Sequence, residues 1–297
     1  MGRSCLYILA GLQMPSLRTL LVLGRTSNLP TVWSNCLAGW WLGGGGRENL
    51  HKLYGLLIGA TLVYLGGMYL NDAFDANFDS QYRRERPIPS GAIAAGTVWR
   101  FGFGFLILGL ISLFTVGLIT GLLGIVLVLC ILIYDMIHKM FVLSPILMAI
   151  CRFLLYLIAA SAAWGVDGWA IWCGLALGFY IVGLSFLARK EVTRNEPPLW
   201  PCLLLIVPVV LALIMNVGRF RENAVLLSAV LVLWVSRSLR FAYRPAERNI
   251  GRSVSGLLAG IVLVDLLACE NVPHPFAAVF IGLFLLALVF QRFVPAT

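Results

Sequence analysis

Apolar stretches recur along the whole chain, and several approach the roughly 20 residues that cross a bilayer as one helix. Short polar loops separate them, as is typical of polytopic membrane proteins. After a first span that ends near Leu42, nine further runs follow at about residues 52–70, 98–118, 122–133, 144–164, 169–187, 199–217, 223–239, 254–269 and 276–293. The pattern predicts an all-α, polytopic membrane helical bundle, and hydropathy alone gives ten spans.

Composition supports this prediction. Of the 297 residues, 60% are hydrophobic and 12% are charged, whereas soluble domains carry about 25% charged residues. There is no room for a separate soluble domain, so we expect a single transmembrane domain over residues 1–297. Residues 1–24 are expected to form an N-terminal interfacial segment.

The net charge of +9 reports topology rather than a nucleic-acid partner, because the basic residues cluster in a few short loops. The clusters fall on one side of the predicted bundle: Arg83, Arg84, Arg86, Arg100, Lys139, Arg189, Lys190, Arg194, Arg237, Arg240, Arg244, Arg248, Arg252 and Arg292. The positive-inside rule places these loops and both termini in the cytoplasm. The lipid bilayer is therefore a predicted partner, and nucleic acid is not.

An acidic segment, Asn71 to Asp79, ends the run 52–70. On a helix, Asp72, Asp75 and Asp79 are spaced i, i+3, i+7 and share one face, where like charges repel unless a cation offsets them. Carboxylate and carboxamide oxygens suit Mg²⁺, which binds through a few carboxylates plus substrate phosphates. The segment predicts a Mg²⁺–diphosphate site at a membrane surface. The alternative is a helix end whose acidic and amide groups only cap and solvate.

The pattern N-D-x-x-D-x-x-x-D at residues 71–79, followed by R-P-I-P-S-G at residues 86–91, resembles the first signature of the UbiA superfamily of intramembrane prenyltransferases. The resemblance implies nine to ten transmembrane helices around a central cavity. Nine spans are usual in that superfamily, so one of the ten runs is expected to be short, broken or peripheral. Pro208 lies within the run 199–217 and is expected to kink it.

The resemblance also implies chemistry. Mg²⁺ held by Asp72, Asp75 and Asp79 would grip a prenyl diphosphate, with Asn71 beside it. Ionisation of the allylic C–O bond would then give a carbocation that bonds to an aromatic or other small acceptor. The expected location is the bacterial inner membrane, with the active site facing the cytoplasm. The sequence is more similar to UbiA-like proteins of small bacterial biosynthetic clusters than to those of ubiquinone or haem pathways.

Further cavity residues follow from the same resemblance. Asn28 is expected to join the substrate site and Arg25 to reach a phosphate, although Ser27 or Asn28 before Pro30 also fits a plain helix N-cap.

Arginine forks match phosphate oxygens, so one or two of Arg83, Arg84 and Arg86 are expected to clamp the diphosphate. Arg83 and Arg86 are the candidates. The alternative is that the arginines only hold the loop in the cytoplasm.

Two later segments add candidates. Superfamily members often have Tyr followed four residues later by Lys, whereas here Tyr134 is followed by His138 at that spacing and by Lys139. Tyr134 and Lys139 are predicted cavity residues or interfacial anchors. Arg152 lies deep in an apolar run, where an ionisable residue indicates function. In the superfamily an arginine on this helix often faces the diphosphate, so the resemblance implies that role for Arg152, the alternative being a structural ion pair.

The chain departs from the superfamily at its second Asp-rich motif, because no Asp occurs between Asp167 and Asp265. Glu191 and Glu196 are possible substitutes as metal ligands, although their i, i+5 spacing suits one face poorly. Arg189 and Lys190 are the other candidates, as direct diphosphate contacts. A basic cytoplasmic loop is the third interpretation, and two-metal chemistry is in doubt.

The predicted function is a Mg²⁺-dependent prenyltransferase acting on a prenyl diphosphate and a small acceptor. Two other classes stay open. One is a catalytically altered relative that binds or translocates a lipid or an isoprenoid-linked metabolite. The other is a transporter, against which the chain shows no paired internal repeats.

Overall fold

The computed structural model describes residues 15–139, 141–190, 197–218, 220–244, 248–269 and 272–295. Within these ranges the chain is helical with connecting loops and contains no strand. The all-α prediction is confirmed.

Thirteen α-helices lie in the described ranges. In chain order they are α1 (Leu17–Leu23), α2 (Leu29–Leu42), α3 (Leu50–Phe74), α4 (Ala76–Tyr82), α5 (Ala95–Val116), α6 (Leu118–Ile137), α7 (Ser144–Ala162), α8 (Gly168–Ala188), α9 (Trp200–Leu205), α10 (Val207–Met215), α11 (Phe220–Tyr243), α12 (Ile250–Ala268) and α13 (His274–Phe290).

Each of the ten predicted runs is helical, but the helices differ in length. Seven helices in the described part of the chain are long and apolar enough to cross a membrane, namely α3, α5, α6, α7, α8, α11 and α12. The other three segments are shorter: α2 has 14 residues, α13 has 17, and α9 with α10 covers Trp200–Met215. In the described part of the chain, the predicted polytopic helical bundle is therefore built from seven helices of spanning length and three shorter apolar segments.

The segment Trp200–Met215 is broken where the sequence predicts a kink. α9 ends at Leu205, Ile206 forms a turn, and α10 begins at Val207. Pro208 follows directly, and it has no N–H to bond the carbonyl of Leu204. The break is the local consequence of that missing hydrogen bond.

α3 and α5 approach closely through glycines. A Cβ on Gly66 would stand 2.9 Å from the carbonyl oxygen of Gly102, and one on Gly109 would stand 3.0 Å from that of Gly59. Such contacts are closer than real Cβ atoms tolerate, so only glycine lets the two backbones meet here. Small residues at helix interfaces are the usual route to tight packing in membranes, where lipid is as apolar as the helices.

Three loops meet at one end of the bundle, which we call the polar end. They are the segment after α3, the loop from α6 to α7, and the C-terminus of α8. Lys139 of the second contacts Asp75 of the first, and Arg189 at the end of α8 contacts the carbonyl of His138. At the other end, Trp164 donates its N–H to the carbonyl of Gly43. The basic loops and the acidic motif therefore share an end.

Candidate functional site

The acidic motif spans the junction between α3 and α4. Asp75 is the residue between the two helices. Its N–H nevertheless donates to the carbonyl of Asn71 at 3.0 Å, and its carbonyl accepts from the N–H of Asp79 at 2.9 Å. Helical spacing is thus kept through the junction. Asp72, Asp75 and Asp79 are only 4%, 9% and 2% exposed. A solvated cap would leave such carboxylates in water, so their burial favours a binding site.

Asp72 accepts from two arginines that are distant in sequence. Arg25 Nη2 and Arg86 Nη1 both lie 3.3 Å from its Oδ1. Arg25 also donates to Asn71 Oδ1 at 3.1 Å. The R-P-I-P-S-G loop and the segment before α2 therefore converge on the first aspartate of the motif.

Arg25 is held in an uncommon conformation. Its φ of 39° and ψ of 49° are left-handed, and within the described residues it is the one non-glycine with positive φ. The Tyr64 hydroxyl donates to its carbonyl at 3.1 Å. Strained backbone of this kind persists where surrounding contacts enforce it, and it clusters at functional sites.

Asp75 is paired with the segment after α6. Lys139 Nζ lies 2.7 Å from Asp75 Oδ1, and His138 Nε2 lies 3.5 Å from its Oδ2. Burial raises the pKa of Asp75, but hydrogen bonds from His138 and Lys139 outweigh it, and the net pKa falls below the usual value. The Lys139 ammonium also stands 3.8 Å from the centre of the Phe78 ring. His138, which stands where the superfamily pattern has Lys, and the adjacent Lys139 thus both contact Asp75.

Asp79 is buried with its Oδ1 lacking a hydrogen-bond partner. Burial raises the pKa of this carboxyl, partly offset by the charge of Arg86. Burial, followed by the positive charge of Arg25, lowers the pKa of Arg86. Arg83 is close enough to Arg86 to act in the same direction. Of the three loop arginines, Arg86 alone forms an ion pair with the motif in the described structure.

A fourth carboxylate, Asp135 of α6, belongs to this site although the sequence analysis did not select it. Asn71 Nδ2 donates to Asp135 Oδ1 at 3.0 Å, while the buried Oδ2 has no partner. An aspartate inside an apolar run, next to Tyr134, is the signal that could have identified it.

The donor set fits a hard cation. In the described part of the chain no three His, Cys, Asp or Glu side chains lie close enough together to hold a metal. The aspartates instead engage Arg25, Arg86, His138 and Lys139. The unpartnered buried oxygens of Asp79 and Asp135 are the oxygen ligands that Mg²⁺ prefers. Mg²⁺ therefore fits the chemistry of these residues, provided that the ion pairs exchange partners.

Asn28 and Tyr134 lie beside this site. Asn28 occupies the N-cap position of α2, as the helix-start alternative predicted, but its side chain makes no capping hydrogen bond. Its side chain is buried next to the Tyr64 hydroxyl. The Tyr134 ring stacks on that of His138, with ring centres 5.1 Å apart.

Arg152 contacts α2 rather than the acidic motif. Its guanidinium donates to Asn35 Oδ1 at 2.6 Å and to Thr31 Oγ1 at 3.1 Å. Asn35 Nδ2 donates in turn to Asp265 Oδ2 at 2.7 Å. Arg152 is thus linked to a buried carboxylate through one amide.

Asp265 is fully buried and fully partnered. Ser34 and Asn35 donate to its Oδ2, and the Tyr156 hydroxyl donates to its Oδ1 at 2.6 Å. The intramembrane aspartate therefore finds partners on both α2 and α7.

Arg189 also lies elsewhere than predicted. It donates to the carbonyls of His138 at 3.0 Å and Phe141 at 2.8 Å, to that of Val142, and to Ser144 Oγ at 3.0 Å. These are loop groups, and none belongs to the acidic motif. Lys190 follows it and is half-buried. The predicted ligand Glu191, with Arg194 and Glu196, lies outside the described residues.

Comparison with known proteins gives a consistent picture. The profile of the UbiA prenyltransferase family matches residues 32–259. A digeranylgeranylglyceryl phosphate synthase of Methanoregula boonei is 39% identical over 74 residues, which are 24% of this chain and 26% of that protein. A protoheme IX farnesyltransferase of Rippkaea orientalis is 27% identical over 186 residues, or 58% of this chain and 57% of that protein. This chain thus matches about a quarter to just over half of these relatives.

Solved structures share the fold. A UbiA homologue from Aeropyrum pernix superposes with a TM-score of 0.65 at 14% identity, covering 81% of this chain and 97% of that one. A UbiA homologue from Archaeoglobus fulgidus, bound to GPP and Mg²⁺, gives a TM-score of 0.52 at 14% identity and covers 92% and 99%. At such identities the likeness concerns the fold.

Proposed function

Because the chain belongs to the UbiA prenyltransferase family, we propose that it is a Mg²⁺-dependent enzyme moving an isoprenoid chain from a prenyl diphosphate to an aromatic or other small acceptor. One observation carries this proposal: Asp72 pairs with Arg25 and Arg86, and Asp75 pairs with Lys139, at the end of the bundle where Asp79 is also buried. Carboxylates for a metal and cations for a phosphate are thereby placed side by side.

Binding would exchange ion-pair partners. Asp72, Asp75 and Asp79 would hold Mg²⁺, with Asp135 as a further oxygen donor. Mg²⁺ when bound neutralises charge on the departing diphosphate. Arg25, Arg86 and Lys139 would turn from carboxylates to phosphate oxygens, for which the guanidinium fork is well matched. The solved homologue bound to GPP and Mg²⁺ supports this assignment.

Ionisation breaks the allylic C–O bond, and the electron pair leaves with the diphosphate. Positive side chains around the leaving group lower the energy of that step, because they are oriented before the charge develops. The carbocation then bonds to the acceptor, which gives up a proton. The imidazole of His138 is the nearby group that could receive it, with the Tyr134 ring stacked on it and the Lys139 ammonium beside it on Asp75. Arg152 and Asn28 remain proposed substrate contacts further along the cavity.

The orientation of the protein follows from charge. Arg86, Lys139 and Arg189 gather at the polar end, and basic loops favour the cytoplasmic face. We place the active site on the cytoplasmic side of a bacterial inner membrane, where prenyl diphosphates and Mg²⁺ are available.

One observation favours a second candidate, a catalytically altered member that binds or translocates a lipid or an isoprenoid-linked metabolite. No Asp occurs between Asp167 and Asp265, and Arg189 is engaged by loop carbonyls rather than by the site. The second half of the usual diphosphate site is therefore altered in this chain.

A transfer assay separates the two candidates. Nanodiscs holding the wild-type protein, Asp72→Asn or Asp75→Asn are incubated with labelled prenyl diphosphates of several lengths and a panel of acceptors, with and without Mg²⁺. The exposed Asp167, which caps α8, supplies the control Asp167→Asn. We expect Mg²⁺-dependent transfer by wild type and control, and its loss in both motif variants. Wild-type rates in Asp72→Asn and Asp75→Asn would refute the proposed site. Mg²⁺-dependent binding without transfer to any acceptor would favour the altered member.

A further inference from the structure

We propose that Arg189 is a positioning residue that fixes the loop between α6 and α7, and so keeps Lys139 at Asp75 without itself touching the substrate. The consequence of this inference for diphosphate binding rests on the proposed function. Its structural part, the fixing of the loop, stands independently of that function.

The contacts of Arg189 are all with one loop. Its Nη2 donates to the carbonyls of His138 and Phe141 and to Ser144 Oγ, and its Nη1 donates to the carbonyl of Val142. Both terminal nitrogens are thereby engaged. A guanidinium used in this way has little donor capacity left for a diphosphate.

The location of the His138 carbonyl at the end of α6 explains why it accepts from a cation. α6 ends at Ile137, and the last carbonyls of a helix have no partner within the helix and carry partial negative charge. A cation placed there satisfies them and is favoured by the helix dipole. Arg189 does this for the carbonyl of His138, the C-cap of α6, although it comes from the end of α8. The carbonyls of Phe141 and Val142 extend the contact along the loop.

The clamped loop carries the partners of Asp75. His138 and Lys139 lie two to three residues before Phe141 in the chain, and their side chains contact the two oxygens of Asp75. The backbone of His138 and its side chain are therefore fixed by different elements, α8 on one side and the acidic motif on the other. Loss of Arg189 should free the loop, and with it the position of Lys139.

The structural part is tested by hydrogen exchange on the ligand-free protein in nanodiscs. Arg189→Ala should speed exchange of the amides of residues 141–144 by about tenfold or more, and Arg189→Lys should give a smaller increase. Arg100→Ala is the control: it removes an exposed arginine that bonds the carbonyl of Gly96 and should leave these amides unchanged. Unchanged exchange in Arg189→Ala would overturn the proposal.

The consequence for binding is tested by a double-mutant cycle with Lys139, using a non-hydrolysable prenyl diphosphate analogue and Mg²⁺. Truncating one partner of a close charge pair typically costs about tenfold or more in affinity. Since Arg189 acts through Lys139, Arg189→Ala should weaken binding by about tenfold. In the Lys139→Ala background the same change should cost less than about twofold. Equal losses in both backgrounds would show direct contact with the diphosphate and overturn the proposal. If the wild-type protein bound no diphosphate, the proposed function would fail, and hydrogen exchange alone would decide the role of Arg189.

Discussion

Lys139 Nζ stands 2.7 Å from Asp75 Oδ1, so the ammonium engages a carboxylate oxygen that the proposed Mg²⁺ would also use. The ammonium therefore competes with a cation for Asp75 and attracts the diphosphate that the cation accompanies. One side chain should thus affect the two ligands in opposite directions.

Lys139→Met tests this opposition. A partly exposed ion pair is worth up to about 1 kcal/mol, which is roughly fivefold in an equilibrium constant. We expect Mg²⁺ alone to bind up to about fivefold more tightly, and the diphosphate analogue with Mg²⁺ to bind more weakly. Titration calorimetry measures both, with Lys52→Met at the far end of α3 as the control. Changes of the same sign for both ligands would contradict the competition.

Arg86 and Arg84 provide a matched pair within one loop. Arg86 contacts Asp72, whereas the exposed Arg84 donates to the carbonyl of Ser80. Removing one partner from a buried charged pair typically costs about 2–5 kcal/mol. Arg86→Gln should therefore weaken binding of the diphosphate analogue by well over tenfold, and Arg84→Gln should leave it nearly unchanged. Equal effects in calorimetry would mean that the loop contributes only general positive charge.

The buried network around Asp265 should be measurable as stability. Tyr156→Phe deletes the hydroxyl that bonds Asp265 Oδ1, and an unsatisfied buried group costs about 1–3 kcal/mol. The expected result is a loss of that size in the free energy of unfolding, measured by denaturant titration in detergent. Tyr54→Phe alters an exposed tyrosine and should change little. A Tyr156→Phe protein as stable as wild type would show that water replaces the hydroxyl.

The glycine contact gives a prediction with a control on the same helix. A Cβ at Gly109 would stand 2.8 Å from Val63 Cγ2 and 2.9 Å from its backbone nitrogen, whereas one at Gly104 would meet nothing within 4 Å. Overpacking typically costs about 1–3 kcal/mol, so Gly109→Ala should be destabilising by that amount. Gly104→Ala should be neutral or slightly stabilising, since alanine favours helix by up to about 1 kcal/mol. The same denaturant titration compares them, and equal stability would refute the tight contact.

The sequence predicted the shared face of the acidic motif, because that follows from local spacing, whereas its burial depends on the elements packed around it. Asp72, Asp75 and Asp79 share a face whatever packs against them. The convergence of Arg25 and Arg86 on Asp72 agrees with roles expected from the superfamily resemblance. That resemblance supplied a relation between distant segments that periodicity alone does not contain.

The partners of Arg189 and Arg152 could not be predicted in this way. Arg189 bonds mostly main-chain carbonyls, which every residue possesses and which leave no mark in the sequence. Arg152 bonds Asn35, more than a hundred positions away. The expectation that Arg152 and Arg189 contact the diphosphate came from their charge and depth, and those properties do not specify which neighbour a side chain meets.

The glycine contact between α3 and α5 also affects how a substrate could enter. At these glycines no side chains separate the two helices. The loop that joins them also brings Arg86 into contact with Asp72, so the helices, the loop and the first aspartate move as one body. On the opposite side, Arg189 fastens the α6–α7 loop to α8. Between the two bodies at the polar end stand the Asp75 contacts to Lys139 and His138 and the Asn71–Asp135 hydrogen bond. A headgroup that enters from the polar end would separate the two bodies by breaking these polar contacts, which can re-form with phosphate in place of carboxylate. The glycine contact between α3 and α5 would stay closed.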